Sequence, residues 1–216
     1  MIRVLIADDQ AIVRAGLTVV LEAETDLTVV GQAADGYEAA RLAAELQPDV
    51  VCMDIRMPGR DGIQATRDIV AEHPHIGVLV VTTFDLDDYV FGALEAGAAG
   101  FLLKGSDETT ITQAIRSVAA GDGTLDQRLT RRVLTEFAQR RPAPEAQRTN
   151  IAEHLTPREI EILVLLSQGH SNKEIAAQLF IEPTTVKYHL ASLLTKTGTR
   201  DRLQVALWAL RSGIVQ

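Results

Sequence analysis

Polar side chains suited to phosphate chemistry recur at the ends of short apolar runs in the first half of the sequence. They are Asp8, Asp9, Asp54, Thr82 and Lys104. Three carboxylates beside one lysine repel one another unless a cation is present, and hard oxygen ligands favour Mg²⁺. The set predicts a magnesium site at which Asp54 attacks phosphorus in line and forms an acyl phosphate. Thr82 is then placed to donate a hydrogen bond to the product.

Each of these residues also has an ordinary structural explanation. An acidic pair after a strand often caps a helix, a lysine at a strand end is often a solvated charge, and threonine is common in strands. Singly, the structural explanation is favoured, whereas jointly, at the ends of four strands, the functional one is. The turn Met57-Pro58-Gly59-Arg60-Asp61-Gly62 follows Asp54 and bends the backbone beside the site.

The elements that must position these residues are strands alternating with helices. Five β-rich runs predict the strands: Val4–Ala7, Thr28–Gly31, Val50–Met53, Val78–Val81 and Phe101–Leu103. Apolar residues at helical spacing fall between and after these runs. The alternation implies an α/β fold with a doubly wound five-stranded parallel sheet. Functional groups of such a sheet gather at the carboxyl ends of its strands, where the predicted site lies.

The second half of the chain has a different organisation. After Gly121-Asp122-Gly123 we expect no further strands, and a short helix near Leu129–Ala138 leads into the proline-punctuated segment Arg140–Pro144. From Leu155 onward only helical periodicities occur, and they predict a small all-α domain of four short helices. We therefore expect a domain at 1–121, a linker with a short helix at 122–151 and a second domain at 152–216.

Two of the C-terminal helices have the arrangement of a helix-turn-helix, with Ser171–Leu179 and Pro183–Thr197 separated by a short turn. An apolar stripe on the second helix predicts which residues face outward: Thr184, Thr185, Lys187, Tyr188, Ala191 and Ser192. Two helix starts, Thr156-Pro157-x-Glu159 and Ser171-Asn172-x-Glu174, have the pattern of capping boxes. The alternative is a helical bundle with solvated basic residues and no DNA function.

Composition and charge are consistent with two modules in a reducing compartment. The net charge is −8, but residues 1–121 carry 8 basic and 19 acidic side chains, whereas residues 122–216 carry 13 and 10. The single cysteine, Cys52, lies in an apolar run and is expected to be a small buried hydrophobe. No apolar stretch approaches the roughly 20 residues of a membrane span, so we expect a soluble cytoplasmic protein without a membrane partner.

Residues 1–120 resemble the receiver domain of two-component response regulators, which has a flavodoxin-like fold. The resemblance rests on Asp8-Asp9, Asp54-Ile55-Arg56-Met57-Pro58-Gly59-x-x-Gly62, Thr82 and Lys104. It implies that Asp54 accepts the phosphoryl group, and that Asp8, Asp9, Asp54 and the backbone carbonyl of Arg56 bind Mg²⁺. It further implies that Thr82 and Lys104 sense the phosphoryl group. Phe101 matches the family's aromatic switch position, although a plain core role is equally compatible with the sequence.

Residues 152–214 strongly resemble the LuxR-type helix-turn-helix of NarL/FixJ regulators. The motifs are Leu155-Thr156-Pro157-Arg158-Glu159, Ser171-Asn172-Lys173-Glu174-Ile175-Ala176 and Thr185-Val186-Lys187-x-His189-Leu190. The resemblance implies that Lys187 and Tyr188 meet base edges or backbone, that Thr185 and Lys173 meet phosphates, and that Glu159 pairs inside the domain. Ala191 departs from relatives that carry a basic residue there, so an apolar contact is expected.

The last helix, near Arg202–Arg211, is more apolar than a four-helix unit needs. The family uses this helix for dimerisation, which implies roles for Val205 and Trp208, whereas the alternative is that Trp208 completes the core.

These observations predict a response regulator whose phosphorylation on Asp54 controls dimerisation and DNA binding, with a sensor histidine kinase as donor. The expected partners are therefore the kinase, double-stranded DNA and a second copy of the chain. Its output is regulation of transcription, not catalysis beyond its own phosphorylation and dephosphorylation. A metal-dependent phosphoaspartyl hydrolase is disfavoured because Arg56 stands where its general acid is needed. The remaining alternative is a phosphorylation-independent regulator whose receiver serves only for dimerisation.

Overall fold

The computed structural model describes residues 1–82, 87–121, 124–125 and 154–215. The chain forms two compact units, Met1–Leu125 and Asp126–Gln216. The predicted linker helix near Leu129–Ala138 lies outside the described residues. No helix in the described ranges is long and apolar enough to cross a membrane.

The first unit alternates strands and helices as the apolar runs predicted. Its elements are β1 Ile2–Ala7, α1 Ala11–Glu22, β2 Leu27–Ala33, α2 Gly36–Leu46, β3 Val50–Met53, α3 Gly62–Glu72, β4 Gly77–Thr82, α4 Asp87–Glu95, β5 Gly100–Leu103, α5 Glu108–Ala119 and β6 Thr124–Leu125. Neighbouring strands are parallel, in the order β2-β1-β3-β4-β5-β6. The five predicted strands are confirmed.

The sixth strand corrects the expectation that strands stop after Gly123. Thr124 and Leu125 pair in parallel with Gly100 and Phe101 of β5. Two residues are too few to produce a detectable alternation of apolar and polar side chains, so the sequence pattern missed them. The first compact unit therefore ends at Leu125, beyond the predicted boundary at residue 121.

The core of the first unit lies on both faces of the central strands. All four residues of β3 are buried, and Cys52 within it is 2% exposed, as expected of a small hydrophobe. Because β1 lies between β2 and β3, the strand order reverses beside β1. A crevice forms at the carboxyl ends of the strands at such a reversal, so the ends of β1 and β3 are the natural place for a site.

The helices of this unit begin in two different ways. Asp35, Asp61 and Asp107 cap α2, α3 and α5, and each side chain accepts a hydrogen bond from a backbone N–H in the first turn. Gln10 precedes α1 and makes no such bond with its side chain. Short oxygen-bearing side chains are the usual caps, so glutamine is an unusual choice at this position.

The second unit contains α6 Pro157–Ser167, α7 Asn172–Leu179, α8 Pro183–Thr197 and α9 Arg202–Ser212. Both predicted capping boxes are present, Thr156 with Glu159 and Ser171 with Glu174. Glu182 precedes α8 without a side-chain capping bond, and Pro183 occupies the first turn. The helices enclose a core of buried aliphatic side chains that includes Ile162, Leu163, Ile175, Val186, Leu193 and Leu207.

Candidate functional site

Three of the predicted site residues meet at the carboxyl ends of β1, β3 and β5. The Nζ atom of Lys104 lies 2.6 Å from Oδ2 of Asp8 and 3.0 Å from Oδ2 of Asp54. Asp8 and Asp54 are 3% and 5% exposed. One lysine thus serves two buried carboxylates, which leaves net negative charge in a largely enclosed place.

Asp9 completes an acidic cluster at the opening of this site. One carboxylate oxygen from each of Asp8, Asp9 and Asp54 lies within 4.8 Å of the other two, and Asp9 is exposed. A cleft of about 270 Å³ opens there, lined by Asp9, Gln10, Asp54, Arg56 and Lys104. Oxygen donors with room for water are the ligand environment that Mg²⁺ prefers, so the cluster could hold this ion.

The ionisation of the site reflects its shortage of positive charge. Burial raises the pKa of Asp54, Lys104 opposes that effect, the charge of Asp8 adds to it, and the net pKa is above the usual value. For Lys104, burial alone would lower the pKa, but hydrogen bonds to Asp8 and Asp54 outweigh it and the pKa is raised. Lys104 therefore stays charged, while Asp54 remains under-stabilised as an anion.

The backbone around Asp54 is held tightly. Its N–H donates to the carbonyl of Ala7 at 2.8 Å, and its Oδ1 accepts from the N–H of Ile55 at 2.9 Å. The N–H of Gly62 donates to Ile55 O, and a Cβ at Gly62 would lie 1.9 Å from the carbonyl oxygen of Asp54. Glycine is therefore required where α3 begins, as the turn after Asp54 predicted.

Two residues outside the predicted site, Arg14 and Gln10, hold Asp8 in place. Arg14 Nη1 donates to the Asp8 carbonyl at 2.6 Å, and the Gln10 N–H donates to Asp8 Oδ1 at 2.9 Å. Both lie within six residues after Asp8, and this closeness in sequence is the only signal that could have indicated them.

The remaining predicted residues of this site are Thr82, Phe101 and Arg56. Thr82 is the last residue of β4 and its backbone is in register with Leu103, the neighbour of Lys104. Phe101 is fully buried in β5, and Arg56 lines the cleft. The sensing roles of Thr82 and Phe101 and the carbonyl ligand at Arg56 stay predictions.

In the second unit, most of the predicted DNA-facing side chains are exposed. Lys173 on α7 and Lys187 and Tyr188 on α8 are exposed, with Tyr188 75% accessible, and Thr185 is half-buried. The predicted outward position of Ser192 is wrong, because its side chain is partly buried and its hydroxyl donates to Glu159 Oε1 at 2.7 Å. The helical pattern placed Ser192 outward because it did not include the partner on α6.

Glu159 pairs inside the domain, as the resemblance implied. It is 2% exposed and accepts hydrogen bonds from the Thr156 N–H and hydroxyl, the Ser192 hydroxyl and Lys196 Nζ, the last at 2.7 and 2.9 Å. Burial alone would raise its pKa, but Lys196, Thr156 and Ser192 lower it to about 2. Glu159 therefore fixes α6 to α8, the helix that carries Lys187.

The two residues of α9 that the resemblance implied in dimerisation differ in their exposure to solvent. Val205 is fully buried, so its side chain has no surface to offer a second chain, whereas Trp208 keeps part of its surface. The expected role of Val205 in dimerisation is therefore replaced by core packing. Asp201 precedes this helix and caps it, because its Oδ1 accepts a hydrogen bond from the Gln204 N–H, and its Oδ2 lies 3.4 Å from Arg200 Nε.

Comparisons with known proteins cover both units. Residues 4–116 match the response regulator receiver domain, and residues 153–209 match the luxR family of bacterial regulatory proteins. The chain is 43% identical over 215 residues to the transcriptional regulatory protein LiaR of Bacillus subtilis, with 100% of each chain covered. It is 37% identical to the oxygen regulatory protein NreC of Staphylococcus aureus, with 99% of each chain covered.

A solved structure supports the same architecture. The crystal structure of response regulator ChrA, from a heme-sensing two-component system, matches with a TM-score of 0.53 and 37% identity. The match covers 99% of this chain and 98% of that one.

Proposed function

The chain belongs to the response regulators of two-component systems, with a receiver domain and a LuxR-type DNA-binding domain, and on this basis we propose that Asp54 accepts the phosphoryl group. The observation that carries the proposal is Lys104 Nζ between Asp54 and Asp8, at 3.0 and 2.6 Å, beside a cleft that Asp9 lines. Asp54 is the carboxylate of the cluster that is both buried and in the cleft.

The transfer uses the charge arrangement of the cleft. An oxygen of Asp54 bonds to phosphorus as the donor's bond to phosphorus breaks, and the leaving group takes that electron pair. Lys104 keeps its charge and interacts with the phosphoryl oxygens. Asp8, Asp9, Asp54 and the Arg56 carbonyl would hold Mg²⁺, which neutralises negative charge on the phosphoryl oxygens.

The output of the chain is transcription regulation through its C-terminal domain. In the helix-turn-helix arrangement α8 enters the major groove, so Lys187 and Tyr188 are proposed to meet base edges or backbone. Lys173 and Thr185 are proposed to contact phosphates. Each of these four side chains is at least partly accessible, and none is acidic.

Phosphorylation is proposed to couple the two activities. Thr82, Lys104 and Phe101 would respond to the phosphoryl group and shift the receiver between two conformations. The phosphorylated chain would dimerise, with Trp208 contributing exposed surface on α9. The donor is proposed to be a sensor histidine kinase, and the protein is proposed to be cytoplasmic because its proposed target is DNA. A regulator independent of phosphorylation is not favoured, because the carboxylate cluster and its lysine are complete.

We propose that residues 1–121, 122–151 and 152–216 act as receiver, linker and DNA-binding domain, with β6 added to the receiver sheet. Limited proteolysis between about residues 123 and 150 would release both parts.

The test of Asp54 is mass spectrometry of the intact chain after incubation with Mg²⁺ and acetyl phosphate. The wild type should gain one phosphoryl group, and Asp54→Asn should gain none. Asp61→Asn is the matched control, because Asp61 lies outside the cleft and asparagine also caps helices well. Equal labelling of Asp54→Asn and wild type would show that the acceptor is another residue.

The test of the DNA surface is a titration of binding at several salt concentrations. If Lys173 meets a phosphate, Lys173→Ala should weaken binding to all sequences and reduce the salt slope by about 1. A base-reading Lys187 should instead cost about 1–3 kcal/mol and relax the preference at one position. Binding without salt dependence would contradict the proposed surface.

A further inference from the structure

One of the residues that line the cleft has no part in the proposed transfer. Of its five lining residues, Asp9, Asp54, Lys104 and the Arg56 carbonyl all have roles in that transfer, and Gln10 has none. The backbone N–H of Gln10 is engaged with Asp8 Oδ1 at 2.9 Å. Its exposed side-chain amide is the unexplained group.

The side-chain amide of Gln10 does not cap α1, although residues at this position usually cap the helix that follows. It precedes α1 in extended backbone, φ −87° and ψ 110°, yet makes no capping bond. Within the described parts of the chain, no protein group hydrogen-bonds this amide. By contrast, Asp35, Asp61 and Asp107 cap the helices they precede. A serine, threonine or asparagine would cap α1 without adding charge, so the longer glutamine is not explained by helix formation.

We propose that Gln10 is a positioning residue that aligns the water molecule which hydrolyses the phosphoryl group on Asp54, and so sets the lifetime of the phosphorylated state. This inference rests on the proposed role of Asp54. An amide has both an oxygen that accepts a hydrogen bond from water and N–H groups that can donate to a phosphoryl oxygen. Glutamine side chains orient attacking water in phosphoryl-transfer sites of other folds.

The hydrolysis is written without a protein base, because an amide does not take up a proton. The water oxygen bonds to phosphorus as the bond from phosphorus to the Asp54 oxygen breaks, and the electron pair returns to Asp54. Both water protons stay on the dihydrogen phosphate that leaves. Gln10 contributes orientation alone, which is consistent with its neutral side chain at the rim of an acidic cluster.

The experiment compares two rates in the full-length chain. Phosphoprotein is prepared with Mg²⁺ and acetyl phosphate, the donor is removed, and the decay of phosphorylated protein is followed by mass spectrometry. The variant is Gln10→Met, which keeps the length of the side chain without its amide. Gln10→His is the rescue variant, because the ring Nε2 reaches about as far and also accepts a hydrogen bond. Gln64→Met on α3 is the matched control, since Gln64 is exposed and lies outside the cleft.

The expected result is that Gln10→Met slows hydrolysis about tenfold more than it slows phosphorylation by acetyl phosphate. Gln10→His should recover most of the lost rate, and Gln64→Met should behave as wild type. Hydrolysis in Gln10→Met that is unchanged, faster, or slowed only in proportion to phosphorylation would overturn the inference. A wild-type chain that never labels on Asp54 would instead show that the proposed acceptor is wrong, so the two failures are distinguishable.

Discussion

Each unit of the chain buries a carboxylate against a lysine, and the two pairs are built in opposite ways. Glu159 accepts hydrogen bonds from Thr156, Ser192 and Lys196, and its pKa is lowered to about 2. Asp54 shares Lys104 with Asp8 and has its pKa raised, with burial as the main cause. The structural carboxylate of Glu159 has hydrogen-bond donors around both of its oxygens. The proposed acceptor Asp54 has too little positive charge around it, and a bound metal ion would supply more.

The largest expected effect is the loss of stability when the buried ion pair of Glu159 and Lys196 is broken. Glu159→Gln should reduce the stability of the C-terminal domain by about 3 kcal/mol, because it removes the charge that four donor groups surround. Denaturation followed by the fluorescence of Trp208, the only tryptophan, reports on this domain. Glu161→Gln should cost less than about 0.5 kcal/mol, since its ion pair with Arg158 is exposed.

The stability of the wild-type C-terminal domain at acid pH should also report on the ion pair of Glu159 and Lys196. The folded-state pKa of Glu159 is about 2, below the unfolded value of 4.5. Its contribution is therefore present above pH 4.5 and is lost as the pH falls through 2. Equal losses of unfolding free energy in Glu159→Gln and Glu161→Gln would show that the buried pair of Glu159 and Lys196 contributes no more than the exposed pair of Glu161 and Arg158.

A further buried carboxylate, Asp201, sharpens the comparison because it lies in the same domain as Glu159. Asp201 is 2% exposed, and burial raises its pKa to about 6 from 3.8. The folded state thus favours the protonated form, and stability should fall by at most about 3 kcal/mol as the pH rises through this interval. Asp201→Asn keeps a capping oxygen for Gln204 and should remove the fall. Trp208 fluorescence between pH 3.5 and 7 measures it, and an unchanged slope in the variant would assign the titration to another group.

Metal addition should affect only the under-stabilised cluster. Mg²⁺ at ten times its dissociation constant should stabilise the receiver by about 1.4 kcal/mol, and chelation should reverse this. Hydrogen exchange of the β1 and β3 amides reports on this unit, whereas the Trp208 transition serves as an internal control. Asp9→Asn should weaken the response, and an equal response in that variant would exclude Asp9 as a ligand.

The smallest expected effect has the opposite sign to that of Glu159→Gln. Asp54→Asn should stabilise the unphosphorylated receiver by about 1 kcal/mol near neutral pH, because it removes a buried charge whose pKa is raised. Asparagine still accepts from Ile55 N–H, and Lys104 keeps Asp8 as its partner. Hydrogen exchange without Mg²⁺ is the measurement. A destabilised variant would mean that Asp54 also has enough donors around it, and the contrast with Glu159 would not hold.

The sequence predicted most of what depends on periodicity and strand ends. The five main strands, the meeting of Asp8, Asp54 and Lys104, and the capping boxes at Thr156 and Ser171 follow from local patterns. Missed features depend on partners that are distant in sequence. Ser192 contacts Glu159, which lies 33 residues away.

The remaining differences have several physical origins. The family resemblance implied that Val205 lies at a dimer surface, but the packing of all four helices shows that it is fully buried. β6 exists because β5 offers an open edge to Thr124 and Leu125, and two residues carry no periodic signal. Gln10 lies at the cleft because α1 begins there, and its residue type alone indicated no role.

The burial of Cys52 gives the molecule a built-in probe of its own opening. Its thiol is the only one in the chain, lies in β3 two residues before Asp54, and has a pKa raised by burial to about 12. Alkylating reagents react with the thiolate, so this cysteine reacts only when the sheet transiently opens. Its labelling rate with and without phosphate on Asp54 therefore measures how firmly modification closes the receiver, while Trp208 independently reports on the other domain.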